Sequence, residues 1–224
     1  MIELNLPDGT AKAVAWLVKI GKTKLYLLDT NIPQNIPAHR DITSQLYGGD
    51  RTIRLRQELL LGMGGYDLIK KLGYTPQSCH INEGHAAFLN IARLNDFIQV
   101  NSMTIDEALE ITSRTKIFTT HTPVPAGHES FKLNMLQEHL DAIMEGYALT
   151  PEEVFSLAQL PEPDARKDHE TDFSLTILGF KTAAYSNGVS KLHGKISREM
   201  WHSLWPNHCR NEIPINQITN GVPL

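Results

Sequence analysis

The sequence has few cysteines and no long apolar run. Cys79 and Cys209 are its only cysteines and lie far apart, which excludes a disulfide framework and the paired spacing of a zinc ribbon and indicates a reducing compartment. No apolar stretch approaches the roughly 20 residues that a membrane-spanning helix needs. The chain opens with the acidic segment 1–4 and soon reaches Pro7 and Gly9, unlike a signal peptide. We therefore expect a cytoplasmic protein with no membrane partner.

The sequence also lacks an excess of charge of either sign. Its formal net charge is -4 over 224 residues, so it carries neither the basic surface of a nucleic-acid-binding protein nor a polybasic membrane patch. The length fits one sizeable domain or a large part of a bigger protein.

Two familiar catalytic motifs are incomplete or absent. The glycine-rich segment 62–65 has neither the lysine of a phosphate loop nor a strand just before it, so we interpret its glycines as a place of close helix packing. No nucleophile-elbow pattern surrounds Thr122 or Ser130, the hydroxyl residues close to His121 and His128 in sequence.

What the sequence does contain is an alternation of strand and helix patterns. Runs of β-branched and aromatic residues predict strands, and apolar residues three or four positions apart predict helices. Thr104 and Thr150 are predicted helix caps. The predicted strands are 13–18, 24–29, 78–81 and 116–120; the predicted helices are a short turn capped by Asp41, 52–72, 83–94, one from 104, 132–147 and one from 150; the predicted loops are 32–38 and 160–169. This order favours an α/β fold.

Polar side chains follow two of the predicted strands. The segment 80–85 holds two histidines, an amide and a carboxylate, and the segment 118–129 holds two more histidines with threonines and a glutamate. Open α/β sheets place ligand sites at the carboxyl ends of their strands. We therefore expect both segments to lie at one ligand site.

A metal is the first ligand to consider at His80, Glu83 and His85. The spacing H-x-x-E-G-H is one residue longer than the helical zinc patterns, and Gly84 weakens a helix at this point. We predict no metal site here. The alternative left open is that these side chains satisfy the backbone groups of neighbouring loops.

The second polar segment is stiffened by Pro123 and Pro125, which follow His121. A stiff extended loop can hold carbonyl groups and an imidazole against a ligand at low entropic cost. Asparagine, glutamate, histidine and threonine are suitable partners for sugar hydroxyls. A connection without any ligand is the alternative.

Seven motifs, in this order and over nearly the whole chain, resemble those of the α-glucan phosphorylases, the glycogen and maltodextrin phosphorylase family of retaining glycosyltransferases. The resemblance is greatest to the shorter bacterial and archaeal type. The motifs are LLDT at 27–30, DIT at 41–43 with LYGGD at 46–50, RLRQE at 54–58, HINEGH at 80–85, FTTHTPVPAGH at 118–128, SNGVSKLH at 186–193 and ITNGV at 218–222.

The resemblance implies a GT-B fold, in which two Rossmann-like domains enclose the active site. It implies reversible phosphorolysis of an α-1,4-glucan such as glycogen, starch or maltodextrin by inorganic phosphate, giving glucose 1-phosphate with retention, and pyridoxal 5'-phosphate as cofactor. By the motif match, His121 lies at the transferred glucose, where its main-chain carbonyl stabilises positive charge at the anomeric carbon. The residues implied to line the same cleft are Asn82, Glu83, His85, Thr122 and Glu129.

The chain also departs from the family. Members are several times longer, and no motif here matches the cofactor lysine or the basic phosphate-binding residues of their second domain, or the glycine-rich loop near the start of their first. We therefore expect residues 1–224 to be the later part of the N-terminal domain. The cofactor-binding C-terminal domain would be absent, or supplied as a separate chain, and the fragment alone would be inactive.

Two other functions are compatible with the same loops. One is a stand-alone glucan-binding module without catalysis. The other is a different GT-B enzyme, such as a nucleotide-sugar glucan synthase, which we disfavour because nothing here resembles a nucleotide-sugar site.

Overall fold

The computed structural model describes residues 1–46, 48–124, 128–160 and 172–221, and it confirms an α/β fold that contains a parallel sheet. The strands are β1 (Ile2–Leu6), β2 (Gly9–Ile20), β3 (Thr23–Asp29), β4 (Cys79–Asn82), β5 (Lys116–Thr120), β6 (Ser130–Phe131), β7 (Phe173–Ser174), β8 (Tyr185–Gly188) and β9 (Ile215–Gln217). The helices are α1 (Pro37–Arg40), α2 (Arg51–Leu59), α3 (Gly65–Lys71), α4 (Leu89–Asn101), α5 (Ile105–Ser113), α6 (Leu133–Ile143), α7 (Pro151–Leu157), α8 (Leu175–Thr182) and α9 (Lys191–Met200).

The parallel sheet positions the polar segments. Its strand order is β4-β5-β8-β9, and each neighbouring pair is parallel. Helices connect successive strands, as in a Rossmann-like fold. Asn82 pairs with Thr119, and Thr119 pairs with Asn187. The segments that follow β4, β5 and β8 therefore leave the sheet at one edge.

A separate three-stranded antiparallel sheet has the order β1-β2-β3. The sequence prediction missed β1, although its apolar residues Ile2, Leu4 and Leu6 alternate with polar ones and are all buried. It also made β2 too short, because the strand extends from Gly9 to Ile20.

The larger core cluster joins β1 and the start of β2 to helices α2 to α8, and it contains Leu55, Phe88 and Phe131. A smaller cluster packs against the parallel sheet around Phe118 and Phe180. The two phenylalanine rings meet edge to face with their centroids 4.8 Å apart.

The long helical pattern at 52–72 is confirmed, with a π-helical segment, Leu60–Gly64, between α2 and α3. The packing reason predicted for its glycines holds at Gly62. A Cβ atom there would lie 2.7 Å from the Leu89 backbone nitrogen and 2.8 Å from Phe88 Cβ. Because only a hydrogen fits, Gly62 lets this helix approach the start of α4 closely.

The predicted helix at 83–94 begins too early. Glu83 has φ 61° and ψ -175°, residues Gly84–Ala86 form a 3-10 turn, and α4 begins at Leu89. Gly84 packs closely, since a Cβ atom there would lie 2.9 Å from Leu175 Cβ. The chain turns at Glu83 because its carboxylate bonds to the loop after β5 rather than to a helix.

Other boundaries also differ. The helix predicted at 132–147 ends at Ile143, and Gly146 has φ 83°, which no α-helix continues. The predicted loop 32–38 already contains the start of α1 at Pro37. Asp41 is the first residue of a 3-10 turn, and the residue at the N-cap position is Arg40, whose side chain makes no capping bond.

Both predicted helix caps are confirmed. Thr104 and Thr150 each accept a hydrogen bond from the backbone three residues on, and Glu107 and Glu153 complete two capping boxes. Of the predicted loop 160–169, residues 161–169 lie outside the described residues. None of the described helices is long and apolar enough to cross a membrane.

Candidate functional site

The first polar contact at the carboxyl edge of the sheet joins β4 to the loop after β5. Asn82 Oδ1 lies 2.5 Å from His121 Nε2. Because an amide oxygen only accepts, this contact places the ring proton on Nε2 and leaves Nδ1 as an acceptor in the neutral imidazole. The two segments that the sequence placed at one site are thus in direct contact.

Glu83 organises the loop that contains His121. Its Oε1 accepts hydrogen bonds from the backbone N–H groups of His121 and Thr122, the latter at 2.7 Å, and from Thr120 Oγ1 at 3.3 Å. The Glu83 backbone N–H donates to the Thr119 carbonyl at 2.8 Å. Hydrogen bonds to an ionised carboxylate are among the stronger ones in proteins. The alternative that these polar residues satisfy loop backbone therefore describes Glu83 well.

The backbone of Glu83 is strained. A residue with a side chain rarely adopts φ 61° with ψ -175°, and such conformations cost on the order of 1–3 kcal/mol. The bonds from its carboxylate to the His121 loop offset this cost. Strained residues held by such contacts concentrate at functional sites.

His85 belongs to a second group of contacts, formed with α2. Its Nδ1 lies 3.2 Å from Glu58 Oε1, and the Arg54 guanidinium donates to the same oxygen at 2.6 Å. Arg54 also donates to Glu129 at 3.3 Å, and Arg51 donates to Glu129 at 2.7 Å. These ion pairs join α2, the turn after β4 and the segment before β6.

Glu58 is the most buried charge of this group. Its side chain is 2% exposed, and its Oε2 has no hydrogen-bond partner among the described residues. Burial raises the pKa of Glu58 although Arg54 and His85 oppose the shift. The hydrogen bond with Glu58 raises the pKa of His85. The carboxylate therefore favours the protonated form of the imidazole beside it.

The remaining histidines of the motifs have other partners. His80 Nε2 lies 2.8 Å from Thr119 Oγ1, which donates to Asn187 Oδ1 at 3.0 Å, so His80 and His85 do not share a site. His128 Nδ1 lies 3.0 Å from Thr176 Oγ1, and burial lowers the pKa of His128. In the described part of the chain, no three metal-binding side chains are grouped closely enough to hold a metal ion.

The last two sequence motifs also meet at this edge. The backbone N–H of Ile218 donates to the Gly188 carbonyl at 2.9 Å, and the N–H of Asn220 donates to the Val189 carbonyl at 3.2 Å. Segments about 30 residues apart in sequence thus run side by side where β8 and β9 end.

The structure gathers all six predicted site residues into these two hydrogen-bonded groups. Asn82, Glu83, His121 and Thr122 form one group. The members of the second group are His85, Glu129, Arg51, Arg54 and Glu58. Arg54 and Glu58 belong to the RLRQE motif, but neither was predicted from the sequence to be a site residue. The sequence signal that could have identified them is the opposite charge of Arg54 and Glu58, which lie four positions apart on a predicted helix.

A cavity of about 640 Å³ opens beside the second group. Its lining includes leucines and isoleucines of β3, the π-helical segment and α3, and Arg54, Glu58 and His85 line it as well. The second group therefore lies between the sheet edge and a largely apolar cavity.

No protein-family model matches this chain, but individual proteins do. It is 42% identical over 222 residues to the maltodextrin phosphorylase of Thermococcus litoralis, covering 99% of this chain and 25% of that protein. It is 36% identical to the glycogen phosphorylase of Mycobacterium tuberculosis, covering 99% and 26%. It is 37% identical to the glycogen phosphorylase of Aquifex aeolicus, covering 92% and 29%.

The chain thus spans about a quarter of the length of the curated relatives it matches. The match extends over nearly the whole of this chain and is not confined to the seven motifs. The resemblance predicted from the motifs is confirmed: this chain is similar, from end to end, to one segment of the glycogen and maltodextrin phosphorylases.

Proposed function

We propose that this chain is part of an α-1,4-glucan phosphorylase and supplies loops that bind the transferred glucose. The observation that carries the proposal is similarity at 36–42% identity over 99% of the chain to proteins named maltodextrin and glycogen phosphorylase. The reaction is reversible phosphorolysis of glycogen, starch or maltodextrin by inorganic phosphate, with retention. In this proposal the described residues belong to the N-terminal half of a GT-B glycosyltransferase.

The loop after β5 has the central role in this proposal. The His121 carbonyl, a fixed dipole, stabilises positive charge that develops at the anomeric carbon. The contact with Asn82 orients the imidazole so that its Nδ1 can accept from a sugar hydroxyl. Glu83 acts as a positioning residue, because its carboxylate holds the backbone of His121 and Thr122.

The second group would line the cleft beside the sugar. His85 and Glu129 are the residues proposed to meet substrate, and Arg51, Arg54 and Glu58 hold them in place. Because Arg54 bonds to both Glu58 and Glu129, a displacement of α2 would move both candidate substrate contacts together.

Pyridoxal 5'-phosphate, when bound in such an enzyme, supplies a phosphate group for proton transfer beside the substrate phosphate. The residues described here do not fit that cofactor. The two groups at the sheet edge contain no lysine, and the buried Lys116 lies at the opposite, amino-terminal end of β5. We therefore assign the cofactor and the phosphate to polypeptide that this chain does not span.

A chimera tests the proposal. This chain would replace the matched 222-residue segment of the T. litoralis maltodextrin phosphorylase. We expect the chimera to release glucose 1-phosphate from maltodextrin and phosphate, whereas the 224-residue chain alone should not, even with cofactor added. A folded chimera with normal cofactor content and no phosphorolysis would contradict the proposal and favour a glucan-binding module.

The same chimera tests the role of His121. His121→Ala should lower kcat/KM roughly ten- to a thousandfold, because a lost hydrogen bond is accompanied by displacement of the loop. His208→Ala is the matched control, since His208 is exposed and outside both groups. Parent activity of the His121 variant at normal cofactor content would show that the sugar does not bind at this loop.

A further inference from the structure

The hairpin of β2 and β3 has an apolar face that nothing in the described residues covers. Trp16 pairs with Leu27 and Val18 with Leu25, and these four side chains share one face with Ile20. Their exposed fractions range from 40% for Val18 to 60% for Trp16. A contiguous apolar patch of this kind marks an interaction surface. We call these five residues the hairpin face.

The opposite face of the hairpin is partly covered, with Leu17 on that face still 46% exposed. Tyr26 and Leu28 are partly buried and pack against the larger core cluster. The hairpin is therefore anchored to the molecule through one face, and both of its faces carry apolar side chains. Strands with apolar side chains on both faces are usually covered on both.

The edge of the hairpin is also open. β3 is an outer strand of its sheet, and β1 pairs with β2 only as far as Ala13, so residues 14–20 of β2 pair only with β3. Long apolar edges of this kind pair with further polypeptide unless charge or proline blocks them. No proline lies between 9 and 29, and the lysines 19, 22 and 24 are confined to the hairpin tip.

We propose that the hairpin face is the docking surface for the phosphorylase polypeptide that this chain does not span. The inference rests on the proposed function. About three quarters of each matched relative has no counterpart here, and that polypeptide must contact this quarter somewhere outside its core. The hairpin face offers what such a contact needs, namely a tryptophan and four aliphatic side chains, with a free strand edge beside them.

Docking here would also support the candidate site. Tyr26, Leu27 and Leu28 line the cavity that Arg54, Glu58 and His85 line as well. A polypeptide that holds the hairpin from outside therefore fixes one wall of the space beside the second group. Loss of docking should weaken assembly, while the assembled enzyme turns over normally.

The test is assembly in trans. The chain would be co-expressed with the T. litoralis maltodextrin phosphorylase from which the matched segment is deleted, and co-purification and affinity would be measured. The hairpin variant is Val18→Thr with Leu25→Thr, which removes apolar groups but keeps good strand-forming residues. The control is Val100→Thr with Ile111→Thr, because both side chains are exposed but lie on α4 and α5.

We expect the hairpin variant to fold with an unchanged unfolding midpoint and to bind the complementary polypeptide at least about tenfold more weakly. The control should bind like the parent chain. Equal binding by both variants would overturn the proposal. A homodimer that the hairpin changes dissociate, and that the complementary polypeptide does not displace, would also overturn it. So would binding to vesicles of anionic lipid that depends on the hairpin face and occurs without assembly.

Activity of the assembled complex separates this inference from the proposed function. A complex that depends on the hairpin face but shows no phosphorolysis contradicts the function and leaves the docking surface standing. If the hairpin changes do not raise the concentration of complementary polypeptide needed for half-maximal phosphorolysis, the docking surface is contradicted and the function is left standing.

Discussion

At the scale of single residues, Glu83 makes two opposing contributions to the stability of the folded protein. Its backbone conformation is unfavourable, and its carboxylate receives two backbone N–H groups and one hydroxyl from the segment 120–122. Hydrogen bonds to a charged group contribute about 1.5–3 kcal/mol, against about 0.5–1.5 kcal/mol for neutral ones. We therefore expect the charge of the Glu83 carboxylate, and not merely its acceptor oxygen, to hold the segment 120–122 in place.

Replacing Glu83 with glutamine tests this view. The glutamine side chain would keep an acceptor oxygen but lose the charge, so we expect Glu83→Gln to lower the free energy of unfolding by about 1–2 kcal/mol. Amide hydrogen exchange at Thr122 should become faster, because its N–H donates to Glu83 at 2.7 Å.

Glu110→Gln is the matched control for this measurement. Glu110 also makes an ion pair, but it is exposed on α5 and bonds to Arg114 at the surface, and such pairs contribute about 0–1 kcal/mol. Equal effects of the two substitutions would show that Glu83 does not organise the loop.

At the scale of elements, the helical run from α2 to α3 is shaped by one contact with α4. The π-helical segment contains Gly62, whose missing Cβ leaves room for the backbone of Leu89. This contact places α2, with Arg54 and Glu58, next to the turn that contains His85. Close helix packing at a glycine thus sets the geometry of the second group.

Two alanine substitutions separate packing from helix propensity. Gly62→Ala should destabilise the protein by about 1–3 kcal/mol, because its Cβ would overlap backbone atoms that cannot move away. Gly65→Ala should stabilise it by up to about 1 kcal/mol, since it lies in a helix with nothing within 4 Å of a built Cβ. Chemical denaturation of both variants measures the difference. A stabilising Gly62→Ala would show that the π-helical segment and the start of α4 are not tightly packed there.

At the scale of the whole molecule, one buried lysine should control how stability depends on pH. Lys116 is fully buried at the start of β5, and its Nζ has no hydrogen-bond partner among the described residues. Burial, reinforced by the nearby Arg93, lowers the pKa of Lys116 from 10.5 to about 7, and Cys79 acts in the opposite direction. The folded protein therefore disfavours the charged amine.

The sign of the effect follows from proton binding. Between pH 7 and 10.5 the unfolded chain binds a proton at Lys116 that the folded protein does not, so the free energy of unfolding should rise with pH. The contribution is at most about 1.4 kcal/mol per pH unit. Below pH 7 both states bind the proton, and the destabilisation is complete.

Lys116→Met should raise the free energy of unfolding at pH 7 and flatten its rise toward pH 10. Denaturation at several pH values tests this, with Lys22→Met as control, because Lys22 is exposed in the turn between β2 and β3. If both variants keep the parent's pH dependence, Lys116 is charged or solvated in the folded protein.

The sequence by itself determined those features that depend on neighbouring residues. The helix caps at Thr104 and Thr150, the strand Lys116–Thr120 and the long helical run with its glycines were all predicted correctly. Each depends on contacts or periodicity within a few positions, which a single sequence displays. The seven motifs likewise indicated the phosphorylase resemblance that the comparisons confirmed.

Only the tertiary structure decided which side chains meet. His85 bonds to Glu58 from 27 positions away, and Arg51 bonds to Glu129 from 78 positions away. Glu83 leaves the predicted helix because its bonding partners follow a different strand. The pKa of Lys116 is lowered because the folded core excludes water from its amine. Such contacts depend on how strands and helices are brought together, and no local pattern encodes them.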